Sequence, residues 1–217
     1  MKNISIENYL GEIYKLEQRD VRVKTNILAK KMDISNAAVT DMLKKLSSNG
    51  LILYERYKNI QLTKKGRNYA AVVVRRHRIW EIFLNQIVGL PWDKVHDEAH
   101  RLEHSASDEL IDRLEEMLDY PEFDPHGDPI PGKDGSIPKH KGYLSLSKLE
   151  KGKIAKVVRV NDFDDKFLIY IKQIGIKLDR KIKVVNILEF DNSLEVKINN
   201  KNYNISRTVA ENIFVGD

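Results

Sequence analysis

A change of hydrophobic period across one stretch rich in proline and glycine constrains this 217-residue chain more than any other feature. Up to about residue 118, apolar residues recur at intervals of three and four, the spacing of amphipathic helices. From residue 155 they alternate, the spacing of half-buried strands. Between the two lie five of the six prolines, within residues 120–142, together with Gly127, Gly132, Gly135 and Gly142. So many breakers read as a linker and domain boundary, partly ordered at best. The expected fold class is therefore mainly α with a C-terminal all-β domain.

In the helical part, Ile6, Tyr9, Leu10, Ile13 and Leu16 stripe a first helix over residues 4–18. Thr25 is placed to cap a second helix over 26–32. The turn Asp33-Ile34-Ser35 follows, and Ser35 can cap a third helix over 36–48. That helix would bury Val39, Leu43 and Leu46 and stop at Asn49-Gly50. Two short helices joined by a three-residue turn after a first helix make the helix-turn-helix layout. Residues 51–54 and 60–62 read as two short strands around a basic turn, a wing. Thr63 then caps a long helix reaching about Val88, broken by Gly89 and Pro91, and further helices are expected over 93–104 and 107–118. Past the linker, strands are expected at 155–160, 167–171, 182–188, 194–198 and 203–205, enough for a small β-barrel. The division expected is 1–70, 71–142 and 143–217.

Net charge follows this division. Lys and Arg against Asp and Glu give +7 over residues 1–70, −6 over 71–142 and +4 over 143–217. A basic N-terminal third fits a polyanionic partner and an acidic middle fits cations. The absence of cysteine excludes disulfides and thiolate metal sites. No apolar run approaches the roughly 20 residues of a membrane span, and no signal-peptide core opens the chain, so a cytosolic location is expected.

Four of the six histidines fall between residues 77 and 104, interleaved with carboxylates at helical spacing. His96, His100, Glu103 and His104 fall on one helix face, and His77 and Glu81 form an i,i+4 pair on the preceding helix. Two such faces can hold one or two divalent ions. His140 is given no role.

These residues carry a resemblance. The chain is similar to the diphtheria-toxin-repressor family of metal-dependent regulators, which includes the manganese transport regulators. The likeness spans essentially the whole chain. It is most specific in Arg76-His77-Arg78 with Glu81, in residues 95–104 followed by Ser107-Asp108, and in Asp124-Pro125-His126-Gly127-Asp128-Pro129-Ile130-Pro131. It implies a winged-helix domain, a helical dimerisation domain and an SH3-like barrel. It also implies a primary metal site of Asn8, His100, Glu103 and His104. An ancillary site of His77, Glu81 and His96 would take further ligands from Asp124, His126, and Asp164 or Asp165. In some manganese-type relatives the residue at position 77 joins the primary cluster instead. Iron-type relatives place Met and Cys at the positions of Asn8 and His100, and manganese-type relatives place Asp and Glu there. This chain matches neither. Gly11 replaces a carboxylate that bridges two ions in some manganese-type members. Ligands of imidazole and carboxylate suit several divalent first-row metals, and the family favours Mn(II) or Fe(II).

In the winged-helix reading the N-terminal half of the third helix enters the major groove. Ala37 and Ala38 permit close approach to thymine methyls, and Asn36 and Thr40 reach base edges. Thr25, Ser35, Lys44, Lys45, Arg56 and Lys58 are assigned to phosphates. Asp41 must face a base or point away. Palindromic half-sites on double-stranded DNA need a homodimer. Apolar residues at 73, 79, 80, 83, 84, 110 and 114 supply both core and interface. Two rival classes exist. His100-Arg101-Leu102-Glu103-His104 also matches the H-x-x-E-H zinc-peptidase pattern, but no cleft accompanies it and the helix-turn-helix would go unexplained. A storage or sensing module without DNA binding is the other. The reading adopted is a regulator, not an enzyme, repressing metal uptake.

Overall fold

The computed structural model describes residues 4–55, 58–138, 142–162 and 164–216. Arg56 and His140 lie outside the described residues. The chain divides into two compact units. The first comprises Met1–His77, Arg101–Asp108 and Pro131–Ile137, and the second Arg78–His100, Glu109–Ile130 and Pro138–Asp217.

The first unit is built on α1 (Ile4–Gln18), α2 (Thr25–Lys31), α3 (Asn36–Ser48), the strands β1 (Ile52–Leu53) and β2 (Gln61–Leu62), and the opening of α4 (Lys64–Gln86). Tyr9, Leu10, Ile13, Tyr14, Leu28, Val39, Leu43, Leu46 and Ile60 form its core. The Ser35 hydroxyl accepts from the Ala38 N–H at 3.2 Å, so the expected cap of α3 is present. Thr25 is not a cap. Lys24 precedes α2 with no side-chain cap, and Thr25 is already helical. The wing is antiparallel, with Ile52 opposite Leu62. Glu17 ties it to α1 by accepting from the Leu62 N–H at 2.9 Å while pairing with Arg67 at 2.6 Å. At Gly66 a Cβ would sit 1.9 Å from the Leu51 carbonyl oxygen, so only glycine lets α4 start this close to the wing.

The second unit holds the rest of α4, α5 (Val95–Leu102), most of α6 (Asp108–Met117) and a six-stranded antiparallel sheet. Its strands are β3 (Leu144–Ser145), β4 (Ile154–Val160), β5 (Lys181–Ile187), β6 (Leu194–Ile198), β7 (Lys201–Ile205) and β8 (Ile213–Gly216), in spatial order β3-β8-β4-β5-β6-β7. Inward positions alternate as a half-buried sheet requires: Ile182 and Val184 on β5, and Leu194, Val196 and Ile198 on β6, are buried.

Two expectations are corrected here. Residues 167–171 are not a strand; they lie in α7 (Asp165–Gln173), whose Leu168 and Ile171 enter the core. The fifth and sixth strands of the sheet come instead from β3 and β8, with a short helix α8 (Arg207–Glu211) before β8. The segment read as a partly ordered linker is, over residues 122–130, a folded part of the second unit. Phe123 bridges Pro129, the Ile130 N–H donates to the Glu122 carbonyl at 2.8 Å, and Asp124, His126 and Asp128 are buried. Among the described residues no helix is long and apolar enough to cross a membrane.

Candidate metal centres and nucleic-acid interface

The first unit contains a continuous run of buried carboxylate and imidazole groups. His77 Nδ1 lies 2.7 Å from Glu103 Oε2. Glu103 Oε1 lies 3.1 Å from His104 Nε2, and His104 Nδ1 lies 2.7 Å from Glu7 Oε2. Glu7 in turn accepts from the Tyr69 hydroxyl at 3.2 Å. Burial, and then the Glu7 carboxylate beside it, raise the Tyr69 phenol above its ordinary value, which keeps it a donor. Both ring nitrogens of His104 thus face carboxylates, and the shorter contact, 2.7 Å to Glu7, favours a proton on Nδ1.

Glu7 is the residue that the sequence reading missed. Its neighbour Asn8, half-buried, has an Oδ1 with no hydrogen-bond partner among the described residues. Two adjacent residues of α1 thus present different atoms: one braces a histidine, the other offers an uncommitted oxygen. His100 is exposed near the C-terminal end of α5, one residue before the segment carrying Glu103 and His104. That helix ends at Leu102, so Glu103 and His104 stand in the turn beyond it.

The second unit contains its own cluster. Glu81 on α4, His126 in the 122–130 loop and Asp162 after β4 each bring one ligand atom within 4.8 Å of the others, and all three are buried. His96 on α5 joins from a half-buried position, with Nδ1 3.1 Å from Glu81 and 3.8 Å from Asp162. His126 Nε2 lies 2.9 Å from the Trp92 carbonyl oxygen, which can only accept. The Nε2 proton is therefore fixed, and Nδ1 is the lone-pair nitrogen of the neutral ring. That atom is buried without a hydrogen bond among the described residues, 3.9 Å from Glu81 Oε2. Such an orphan beside two carboxylates is what a divalent cation would satisfy. Burial draws the His126 pKa down, yet Glu81, Asp124 and Asp162 raise it further, and the net direction is up.

Asp124 and Asp164 are placed differently from expectation. Asp124 Oδ1 accepts from the N–H groups of His126 and Asp128, at 2.8 and 2.9 Å, and Oδ2 pairs with Arg78 at 3.4 Å. It braces the loop from inside. Burial, with Glu81 and Asp128 adding repulsion, pushes its pKa up to about 7 against the pull of His126 and Arg78. Asp164 is exposed and caps α7, accepting from the Lys166 N–H at 2.8 Å, and Asp165 is the first residue of that helix. The buried carboxylate lies two residues earlier, at Asp162.

The first unit also has a groove lined by Lys24, Thr25, Asn26, Asn36, Thr40, Tyr54 and Lys58. Ser35, Asn36, Ala37 and Ala38 are exposed on α3, on the face opposite Val39, Leu43 and Leu46. Lys44 and Lys45 are exposed further along. Asp41 pairs with Lys44 at 3.3 Å, which removes the problem of a lone carboxylate near phosphate. Lys24, Asn26 and Tyr54 were not singled out by the sequence reading; they become visible only when α2 and the wing fold beside α3.

Comparison with known proteins gives three domain-family matches along the chain. Residues 3–60 match the iron dependent repressor N-terminal DNA binding domain, 63–132 the iron dependent repressor metal binding and dimerisation domain, and 144–216 the FeoA domain. The diphtheria toxin repressor of Corynebacterium diphtheriae is 30% identical over 218 residues, covering 95% of this chain and 94% of that protein. The iron-dependent repressor IdeR of Mycobacterium tuberculosis is 38% identical over 126 residues; the match covers 58% of this chain and only 55% of IdeR. A solved manganese-dependent transcriptional repressor in complex with manganese superposes with a TM-score of 0.91 at 35% identity, over 97% of this chain and 98% of that one.

Proposed function

We propose that this chain, which belongs to the diphtheria toxin repressor family of metal-dependent transcriptional repressors, is a cytoplasmic homodimeric repressor of metal-uptake genes with Mn(II) or Fe(II) as co-repressor. One observation carries the reading. Glu7, on the first helix of the DNA-binding fold, is hydrogen-bonded to His104 within the same compact unit. An ion held there acts on the first helix of the fold whose third helix is the reading head.

The ligands we assign to the primary site are Asn8, Glu103 and His104, with His77 hydrogen-bonded to Glu103. His100, which the family resemblance also assigns to this site, is exposed near the end of α5 in the second unit. Glu81, His96, His126 and Asp162 would hold a second ion. A bound divalent ion supplies positive charge that offsets the mutual repulsion of these buried carboxylates. The protein's own share is to hold the ligands: Glu7 favours one tautomer of His104, the Trp92 carbonyl sets that of His126, and Asp124 with Arg78 keeps the loop closed. Donors of nitrogen and oxygen without sulfur agree with Mn(II) and Fe(II) and leave the choice to geometry and availability. The peptidase reading is disfavoured because its pattern needs both histidines and the glutamate on one helix, and α5 ends before Glu103.

On DNA, Asn36 and Thr40 would read bases through the exposed half of α3, while Thr25, Ser35, Lys44, Lys45 and Lys58 would fix its register on the phosphates. A two-fold dimer would read a palindromic operator. The test is duplex binding by chelator-stripped protein from a random-sequence pool at fixed salt, with no metal, Mn(II), anaerobic Fe(II) or Zn(II). The expected result is a palindrome enriched only when a metal is present. Equal enrichment without metal, or none with any metal, would overturn the proposal.

A further inference from the structure

The outer face of the C-terminal sheet carries an arrangement that costs stability and has no structural return. Lys156 on β4 lies directly opposite Lys181 on β5, and Lys183 on β5 directly opposite Lys197 on β6. Like charges in directly opposed positions are some 5 Å apart at Cβ and destabilise a sheet. All four lysines are exposed, and none has a carboxylate within ion-pairing distance among the described residues. Glu195, the acid nearest in register, accepts from the Asn202 amide at 2.7 Å instead. Lys181, Lys183 and Lys197 of this face line a groove of about 850 Å³ together with Lys177, Asp179, Arg180 and the Asn199-Asn200 turn, while Lys156 is not part of its lining.

The groove is held rigidly. Asn199 and Asn200 both have positive φ, the conformation of a tight hairpin turn. Arg180 donates to Asn199 Oδ1 at 2.7 Å, and its backbone carbonyl accepts from the Val157 N–H at 2.9 Å. One nitrogen of that guanidinium is engaged at Asn199, and the other charged groups of the lining are four lysines and the exposed Asp179. Recognition of acidic peptides favours the bidentate fork of arginine. Ammonium point charges about two residues apart on flexible stems suit an evenly charged backbone read without regard to sequence.

We propose that this lysine face of the C-terminal barrel is a second, sequence-independent contact for the phosphates of duplex DNA. It rests on the DNA-binding reading of the first unit and extends it to a domain otherwise without a nucleic-acid role. Each lysine–phosphate contact displaces condensed counterions and contributes about 0.9 to the slope of log affinity against log salt.

The experiment measures that slope for the full-length chain on a non-operator duplex, comparing wild type, K44Q/K45Q, and K156Q/K181Q/K183Q/K197Q. The barrel variant should melt no lower than wild type, since it loses two repulsive pairs, and its slope should fall by about 2 or more. If K44Q/K45Q flattens the slope while the barrel variant keeps the wild-type value, the winged-helix reading stands and the barrel proposal is overturned. A wild type that binds no duplex at any salt overturns both. Should the barrel variant lose only poly-L-glutamate binding, the face serves an acidic polypeptide and the DNA proposal again falls.

Discussion

Within the first unit, Glu7→Gln separates the charge of residue 7 from its shape. Gln keeps the length and can still accept from His104 Nδ1, but it removes the carboxylate that polarises the ring. Outer-shell partners of metal-bound histidines are worth about 10–100-fold in affinity. A loss of that size is expected for the tighter Mn(II) event in calorimetric titration of E7Q, with the event that depends on His126 unchanged; wild-type affinity for both would remove Glu7 from the site. The sequence showed which residue types gather but not which of two neighbours turns inward. The resemblance named Asn8, one position along α1 from Glu7, and Asp164 or Asp165, two or three positions past the buried Asp162, where no period gives a direction. His77 and Glu81 on α4 and His96 on α5 stand at helical spacings, which fix their faces before any fold is known, whereas Glu103 and His104 lie past the end of α5.

The loop over residues 122–130 is the element on which the second cluster depends. Gly127 has φ of +87°, and a Cβ there would fall 2.2 Å from the Val158 carbonyl oxygen on β4. Next to it, the His126 carbonyl accepts from the Val160 N–H at 2.9 Å. Gly127→Ala therefore combines a left-handed alanine, costing about 1–2 kcal/mol, with a backbone collision. It should abolish the second Mn(II) event and lower the melting temperature by several degrees; an unshifted Tm with both events intact would show that the loop tolerates displacement. The same loop sets a pH dependence. Both Asp124 and His126 have pKa values raised by folding. A raised pKa adds stability at low pH that is lost as pH climbs through the folded value. Metal-free protein should accordingly melt higher at mildly acidic pH than above the Asp124 value of about 7. D124N should narrow that difference, and an equal difference in wild type and D124N would contradict the assignment. This loop was read as a linker because prolines and glycines mark both linkers and tight turns, and only the buried Asp124 and Arg78 distinguish them. For α7, five consecutive apolar residues carry no period, so strand and helix were not separable by pattern. The aspartate pair before them was the available helix-start signal, and it had been assigned to metal instead.

For the whole molecule the decisive quantity is a coupling free energy. Metal tightens DNA binding only to the extent that it prefers the DNA-competent state, and linkage then requires DNA to tighten metal by the same factor. Couplings of this kind are about 1–3 kcal/mol, or about 5–150-fold. Each unit contains its own histidine–carboxylate cluster, so the coupling can be located. The first cluster includes α1 of the DNA-binding fold through Glu7 and His104, and the second contains no residue of that unit. His104→Ala should therefore reduce the factor to near one while leaving salt-sensitive, sequence-independent duplex binding in place. H126Q should lower the number of ions bound but preserve the factor once the remaining site is filled. Measuring Mn(II) affinity with and without the enriched duplex, and duplex affinity with and without Mn(II), closes the cycle for each variant. Equal coupling in H104A and wild type would move control to the second cluster. Coupling lost in both variants would mean that the two sites act as one.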